Sequence, residues 1–220
     1  VDGENKVDGE NKVDGENKPK PKGSDLPEEN DLSEETLKEM IAFVISGVSI
    51  TDKDGQYWEV LDGGWGSGFT VTDDGYVFTN QHVVEYIDNF SRARNRINDI
   101  KADNDFEQFT PRIWVFFGQD QKYETEIIHV SDKFDFAILK AKGLQNAPYF
   151  QLSTFDKVSR GTEVQTLGFP GASIRTMRSD EDWAKLKAKR KKGVQDFFQK
   201  SDFEYVQKEG SISVVKDLSD

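Results

Sequence analysis

The chain's 220 residues include two histidines, 41 carboxylate side chains and no cysteine, which narrows its chemistry. Thiolate catalysis, disulfides and cysteine-ligated zinc are excluded. A serine hydroxyl is a poor nucleophile alone, and an imidazole that takes its proton as attack proceeds removes that obstacle. A carboxylate bonded to the other ring nitrogen would fix the tautomer and stabilise the imidazolium. His82 closes an apolar hairpin, where a histidine taken alone is by default structural. His129, within Ile127-Ile128-His129-Val130, reads as structural. Asp135 directly precedes Phe136-Ala137-Ile138-Leu139, where an aspartate is costly unless something bonds it. Because 53 residues separate His82 from Asp135, only the fold can join them.

The elements that must do so are mostly strands. Residues 68–72 and 76–79 flank Asp73-Asp74-Gly75, a tight-turn signal in which glycine supplies a positive φ. Residues 42–50 are β-branched and partly alternating, and read as a first strand. A short helix over 34–40 precedes it, capped by Asp31 or Ser33 and acidic in its first turn. Further strands are expected at 112–117, 125–130, 136–140, 149–152 and 163–169. The polar residues 85–110 predict an excursion with helical character. A second excursion, 179–208, carries Trp183, Leu186, Val194, Phe197 and Phe198 at loosely helical spacing, which predicts a helical insertion packing an apolar stripe onto the barrel. Many short strands with two helical inserts point to an all-β barrel fold.

At 35% hydrophobic and 32% charged, the composition suits one medium globular domain with polar additions. Residues 1–18 repeat Val-Asp-Gly-Glu-Asn-Lys three times and run into Pro19-Lys20-Pro21-Lys22-Gly23. One apolar residue per repeat cannot build a solenoid, so this reads as a disordered tether. A calcium-binding repeat is the alternative, although the twelve-residue spacing of an EF-hand loop is not met. Net charge is −12, and residues 1–40 hold 13 acidic against 6 basic side chains, so the acidity lies mostly in the tail. A negative domain with scattered lysines argues against nucleic acid as a partner, and the basic run 185–192 reads as a solvated helix face. No stretch approaches the roughly 18 apolar residues of a membrane span. The chain starts at Val1, which reads as a processed or cut end with any targeting signal removed from view.

Three blocks carry a family resemblance. Gly66-Ser67-Gly68-Phe69, the Asp-Gly hairpin and Thr79-Asn80-Gln81-His82-Val83-Val84 resemble the first half of bacterial trypsin-like serine peptidases of the HtrA/Deg type. Asp132-Lys133-Phe134-Asp135-Phe136-Ala137-Ile138-Leu139-Lys140 resembles that family's Asp-x-x-x-Asp-Leu-Ala-Ile-Leu-Lys pattern with one intervening residue fewer. Gly168-Phe169-Pro170-Gly171 is similar to its Leu-Gly-Tyr-Pro-Gly turn, and 210–215 gives a weaker match. The resemblance implies a trypsin-like double six-stranded β-barrel, the second barrel incomplete, with helical insertions. Residues 1–30 would form the disordered tail, 31–145 the first barrel with its N-terminal helix, and 146–220 a partial second barrel with the insertion 179–208. His82 would be the general base and Asp135 the buried triad carboxylate of a serine endopeptidase acting on polypeptides. No metal or organic cofactor is implied, and placement would be periplasmic, cell-envelope or secreted. Oligomeric state and cleavage specificity stay open.

The family's nucleophile motif, Gly-x-Ser-Gly-Gly, does not occur in the chain. Ser211 sits in an apparent strand without the Gly-Gly that lets the chain turn sharply, and Ser219 is one residue from the end. The expectation is a C-terminally truncated protease whose serine lies beyond Asp220. The alternative is a catalytically inactive barrel that holds a peptide in its cleft with the help of the 183–198 segment.

Overall fold

The computed structural model describes residues 32–88, 106–152, 159–169 and 191–213. Contacts divide the chain into Val1–Leu32 and Ser33–Asp220. The expected repeat tail lies outside the described residues. Helix α1 spans Glu34–Met40, with the Ser33 hydroxyl accepting the Thr36 N–H at 3.2 Å. Strands follow at β1 (Ile41–Asp52), β2 (Tyr57–Thr70) and β3 (Tyr76–Thr79), then helix α2 (Gln81–Asp88), then β4 (Phe106–Phe117), β5 (Gln121–Val130) and β6 (Ala137–Ala141). The six strands close into an antiparallel barrel in the order β1-β2-β3-β6-β5-β4.

The β2–β3 turn is built as its sequence dictates. Gly75 has φ +90°. The Thr72 hydroxyl donates to Asp74 Oδ1 at 2.6 Å, and Lys140 reaches across from β6 to Asp74 Oδ2 at 2.7 Å. Of the excursion expected over 85–110, α2 supplies the start and β4 takes the end, while 89–105 lie outside the described residues.

β1 is buried from Ile41 to Ile50 because both of its faces are covered. Ala42 and Val44 point into the barrel against Val77, Ile113, Val115 and Leu139. Phe43 and Ile45 point outward into a second cluster with Trp114, Phe116, Phe169, Val194, Phe197, Phe198 and Phe203. Phe43 is its hub, with ring centroids 5.0 Å from Phe169, 5.3 Å from Phe198 and 5.4 Å from Phe203. Full burial of each such side chain contributes roughly 1.5–3 kcal/mol relative to exposure.

The outer cover departs from expectation. The 179–190 part of the predicted insertion lies outside the described residues, and from Lys191 onward two 3-10 turns, Val194–Phe197 and Lys200–Phe203, stand where an α-helix was expected. Asp196 accepts the Gly193 N–H and Asp202 accepts the Gln199 N–H, and such short local closures compete with a continuing helix. Buried Glu59 on β2 fixes the segment: its carboxylate accepts Lys122 Nζ at 2.6 Å, the Tyr57 hydroxyl at 2.9 Å and the Val194 N–H at 2.5 Å, and its backbone bridges Lys191. Burial, and then the Glu59 charge, push the Tyr57 phenol up to about 12. Strands β7 (Glu163–Gly168) and β8 (Val206–Ser211) form a separate two-stranded antiparallel sheet. Residues 149–152 are not a strand: Thr70 donates its hydroxyl to Pro148 O and its carbonyl accepts the Phe150 N–H, so β2 pins this stretch as an extended connection.

Candidate active site

The site is assembled at one end of the β3–β6 pairing. The last rung of that ladder is Thr79↔Ala137. Asn80 and His82 therefore leave β3 where Asp135 and Phe136 enter β6. On the first side, α2 begins at Gln81, and the Ser46 hydroxyl, buried in β1, donates to Val83 O at 2.6 Å. β2 lets this helix approach because a glycine stands at 66, where a Cβ would lie 2.6 Å from Val83 Cγ2, and a second glycine at 68 lets β3 come close, since a Cβ there would lie 2.9 Å from Phe78 O. On the other side, the Ser131 hydroxyl accepts the Lys133 and Phe134 N–H groups, and the Ser131 N–H donates to Phe136 O at 2.9 Å. The Phe136 ring then stands edge-on to Phe78 with centroids 4.8 Å apart. Both flanks of the site are thus held by backbone and packing.

His82 and Asp135, 53 residues apart in sequence, meet. His82 Nδ1 lies 2.7 Å from Asp135 Oδ2, and the His82 backbone N–H donates to Asp135 Oδ1 at 3.0 Å. Asn80 Nδ2 donates to both Asp135 O and Asp135 Oδ2, each at 3.1 Å. The His82 backbone N–H does most to hold the Asp135 carboxyl below its usual range; burial opposes it, and the imidazole and then the Asn80 amide add to the lowering. An ionised Asp135 accepts rather than donates, so the Nδ1–H tautomer is the one that fits and Nε2 carries the free lone pair. The expected burial of the carboxylate is not found: its side chain is 52% exposed and that of His82 65%. The physical reason is position, since both residues sit just past the end of a ladder, on the rim of the barrel. His129 lies apart, exposed on β5 beside the irregularity between Ile127 and His129.

Next to Asp135 opens a cleft of about 540 Å³. Phe69, Phe78, Phe150, Leu152 and Leu167 give it apolar walls, with Asn80 and Asp135 on the polar side. Its floor includes Ser67, whose hydroxyl accepts the Phe169 N–H at 2.6 Å and whose carbonyl accepts the Thr79 hydroxyl at 2.8 Å. Ser67 thereby ties the turn after β7 to the strand that leads into the site. Ser211 ends β8, paired with Glu163, and Ser219 lies outside the described residues. Among the described residues, no three His, Asp or Glu side chains gather as metal ligands, and no helix is long and apolar enough to cross a membrane.

The model of the trypsin-like peptidase domain matches residues 66–212, a span that contains the hairpin, both members of the pair and the β7–β8 sheet. The chain belongs to this family. As a trypsin-like peptidase domain it is similar to relatives of the HtrA/DegP type. It is 31% identical over 105 residues to a probable periplasmic serine endoprotease DegP-like of Chlamydia pneumoniae, covering 48% of this chain and 17% of that protein. It is 24% identical over 148 residues to serine protease HTRA1 of Xenopus laevis and 27% to human serine protease HTRA4, covering 67% of this chain and 26% and 25% of theirs. The chain thus spans about a sixth to a quarter of the curated relatives it matches. Among solved structures, the HtrA-type protease AlgW with decapeptide is matched at 17% identity and TM-score 0.39, over 61% of this chain and 39% of that one.

Two features of this trypsin-like peptidase domain were not assigned from sequence. Nothing local in Thr79-Asn80-Gln81-His82 assigns Asn80 a role, and nothing local in Gly66-Ser67-Gly68-Phe69 assigns one to Ser67. A hydrogen bond to a residue 55 positions away, as Asn80 makes to Asp135, leaves no local mark.

Proposed function

We propose that the chain carries the proton-transfer half of a serine endopeptidase site, with His82 as general base and Asp135 as the carboxylate that orients it. The observation that carries this reading is the double attachment of Asp135 to His82, through Nδ1 at 2.7 Å and through the backbone N–H at 3.0 Å. That pairing fixes the tautomer and ring together and leaves Nε2 facing solvent as the proton acceptor. A serine oxygen attacks the peptide carbonyl as Nε2 takes its proton, and the imidazolium formed is stabilised by Asp135. The same Nε2–H then protonates the leaving amine, and a water activated in turn by Nε2 releases the acyl group.

The absence of Gly-x-Ser-Gly-Gly from the sequence supports a nucleophile supplied from outside these 220 residues. The separate β7–β8 sheet supports reading 146–220 as part of a second barrel. Polypeptide substrates and an envelope location are proposed because the relatives are named serine proteases or endoproteases and the bacterial ones periplasmic.

The test compares this chain with the same chain carrying its natural C-terminal continuation. We expect no casein cleavage from the 220 residues alone. The longer protein should cleave casein and react with a serine-directed fluorophosphonate, with cleavage lost in His82→Ala. Cleavage by the 220 residues that His82→Ala abolishes would overturn the placement of the nucleophile. A longer protein that binds peptides in the apolar cleft but never reacts with fluorophosphonate would establish the binding-module alternative.

A further inference from the structure

Asn80 ties the end of β3 to Asp135 through its side chain. Its side-chain nitrogen lies 3.1 Å from two oxygens of one residue, the backbone O and the carboxylate Oδ2 of Asp135. The opposite orientation of the amide would set its oxygen against two acceptors, so the nitrogen must be the atom that faces Asp135. Asp135 Oδ2 therefore receives two donors, Asn80 Nδ2 and His82 Nδ1, while Oδ1 receives the His82 backbone N–H.

A carboxylate's terminal torsion is soft, with no deep staggered wells to hold it. Half-exposed Asp135 is not packed in place either, so these donors are what define the plane of its oxygens. The two His82 bonds come from the residue being oriented. Among the described residues, Asn80 supplies the side-chain restraint that comes from a residue other than His82, and its bond to Asp135 O fixes the backbone beneath the carboxylate as well.

We infer that Asn80 is a positioning residue, an amide clamp that holds the Asp135 carboxylate in the plane in which it receives Nδ1–H of His82. Its catalytic meaning rests on the proposed function, while the clamp itself can be read without turnover. The contribution of Asn80 to keeping the Asp135 carboxyl ionised acts in the same direction.

The experiment is a two-bond ¹H–¹⁵N correlation on the chain with ¹⁵N-labelled histidine, at a pH where the imidazole is neutral. In the unsubstituted chain, Nδ1 of His82 should resonate as a pyrrole-type, protonated nitrogen. Asn80→Ala removes the clamp, and Asn80→Asp keeps its shape but cannot donate and adds a like charge. Both should move Nδ1 toward the pyridine-type position as the Nε2–H tautomer gains population, with backbone amide spectra otherwise those of the folded chain. Asn80 is exposed, so neither change opens the core.

Unchanged Nδ1 shifts in both folded variants would overturn the clamp and leave the His82–Asp135 reading standing. A pyridine-type Nδ1 in the unsubstituted chain would sink that reading and the clamp together. In the catalytically complete protein, Asn80→Ala should lower kcat about fivefold at unchanged KM, the scale of one lost hydrogen bond. A loss confined to KM would overturn the positioning role.

Discussion

Gly66 is where β2 admits the helix that bears His82, and adding one methyl group there tests the whole construction. A Cβ at position 66 would lie 2.6 Å from Val83 Cγ2, whereas relaxed carbon atoms sit about 3.5–4.0 Å apart, an overlap of about 1 Å. Val83 is 1% exposed and β-branched within a helix, so its methyl cannot swing aside freely. Overpacking of this kind costs about 1–3 kcal/mol. Gly→Ala in an extended strand returns about 0.5–1 kcal/mol through the less flexible unfolded chain. Gly66→Ala should therefore destabilise by about 1–2 kcal/mol in urea unfolding. The strain falls on the residue next to His82, so the low-field Nδ1–H resonance of the His82–Asp135 bond should also weaken. Val83→Ala alone loses about 2 kcal/mol of packing, but in the Gly66→Ala background the new methyl refills part of that space. The double variant should be more stable than additivity predicts by about 1 kcal/mol. Additivity within 0.5 kcal/mol, or a neutral Gly66→Ala, would refute close packing as the reason for glycine here.

Other outcomes follow from the same contacts. Glu59→Leu strands the Lys122 ammonium and the Val194 N–H, and should cost about 3–5 kcal/mol in urea unfolding, while Glu59→Leu with Lys122→Met should recover much of the loss. Ser67→Ala leaves the buried Phe169 N–H without its acceptor and should cost about 1–3 kcal/mol, with faster amide exchange at Phe169. Because folding lowers the Asp135 pKa, its contribution to stability is complete above the ordinary carboxylate range and fades as pH falls through the lowered value. The acid limb of a stability-versus-pH curve should therefore be shallower in Asp135→Asn.

How far the sequence spoke depended on whether the signal was local. Helix α1 was legible because its cap and acidic first turn sit in consecutive residues, with Ser33 doing the capping. The β2–β3 turn was legible through Gly75. β1 was found, but its two-sided burial blurred the alternation that marks a strand with one wet face. The extended reading of 149–152 failed to become a strand because its neighbours were Thr70's hydrogen bonds rather than a ladder. Val194, Phe197 and Phe198 misled because spacings of three and four residues serve a 3-10 turn packed on a flat face as well as a helix. At the site, His82 taken alone reads as structural, and the resemblance of the blocks 66–84 and 132–140 to the family's motifs is what pointed to it and to Asp135. Their half-exposed rim position and the Asn80 clamp depended on a pairing register that no short window contains.

One such register has a consequence for how the domain tolerates change. The imidazole and the carboxylate are brought together by a single rung, Thr79↔Ala137, and by the turns immediately beyond it. The β4–β5 turn, residues 118–120, takes no part in that rung. Chain can be lengthened or trimmed there at little expense to the proton relay, whereas a slip of one residue between β3 and β6 would turn the pair away from each other at a stroke.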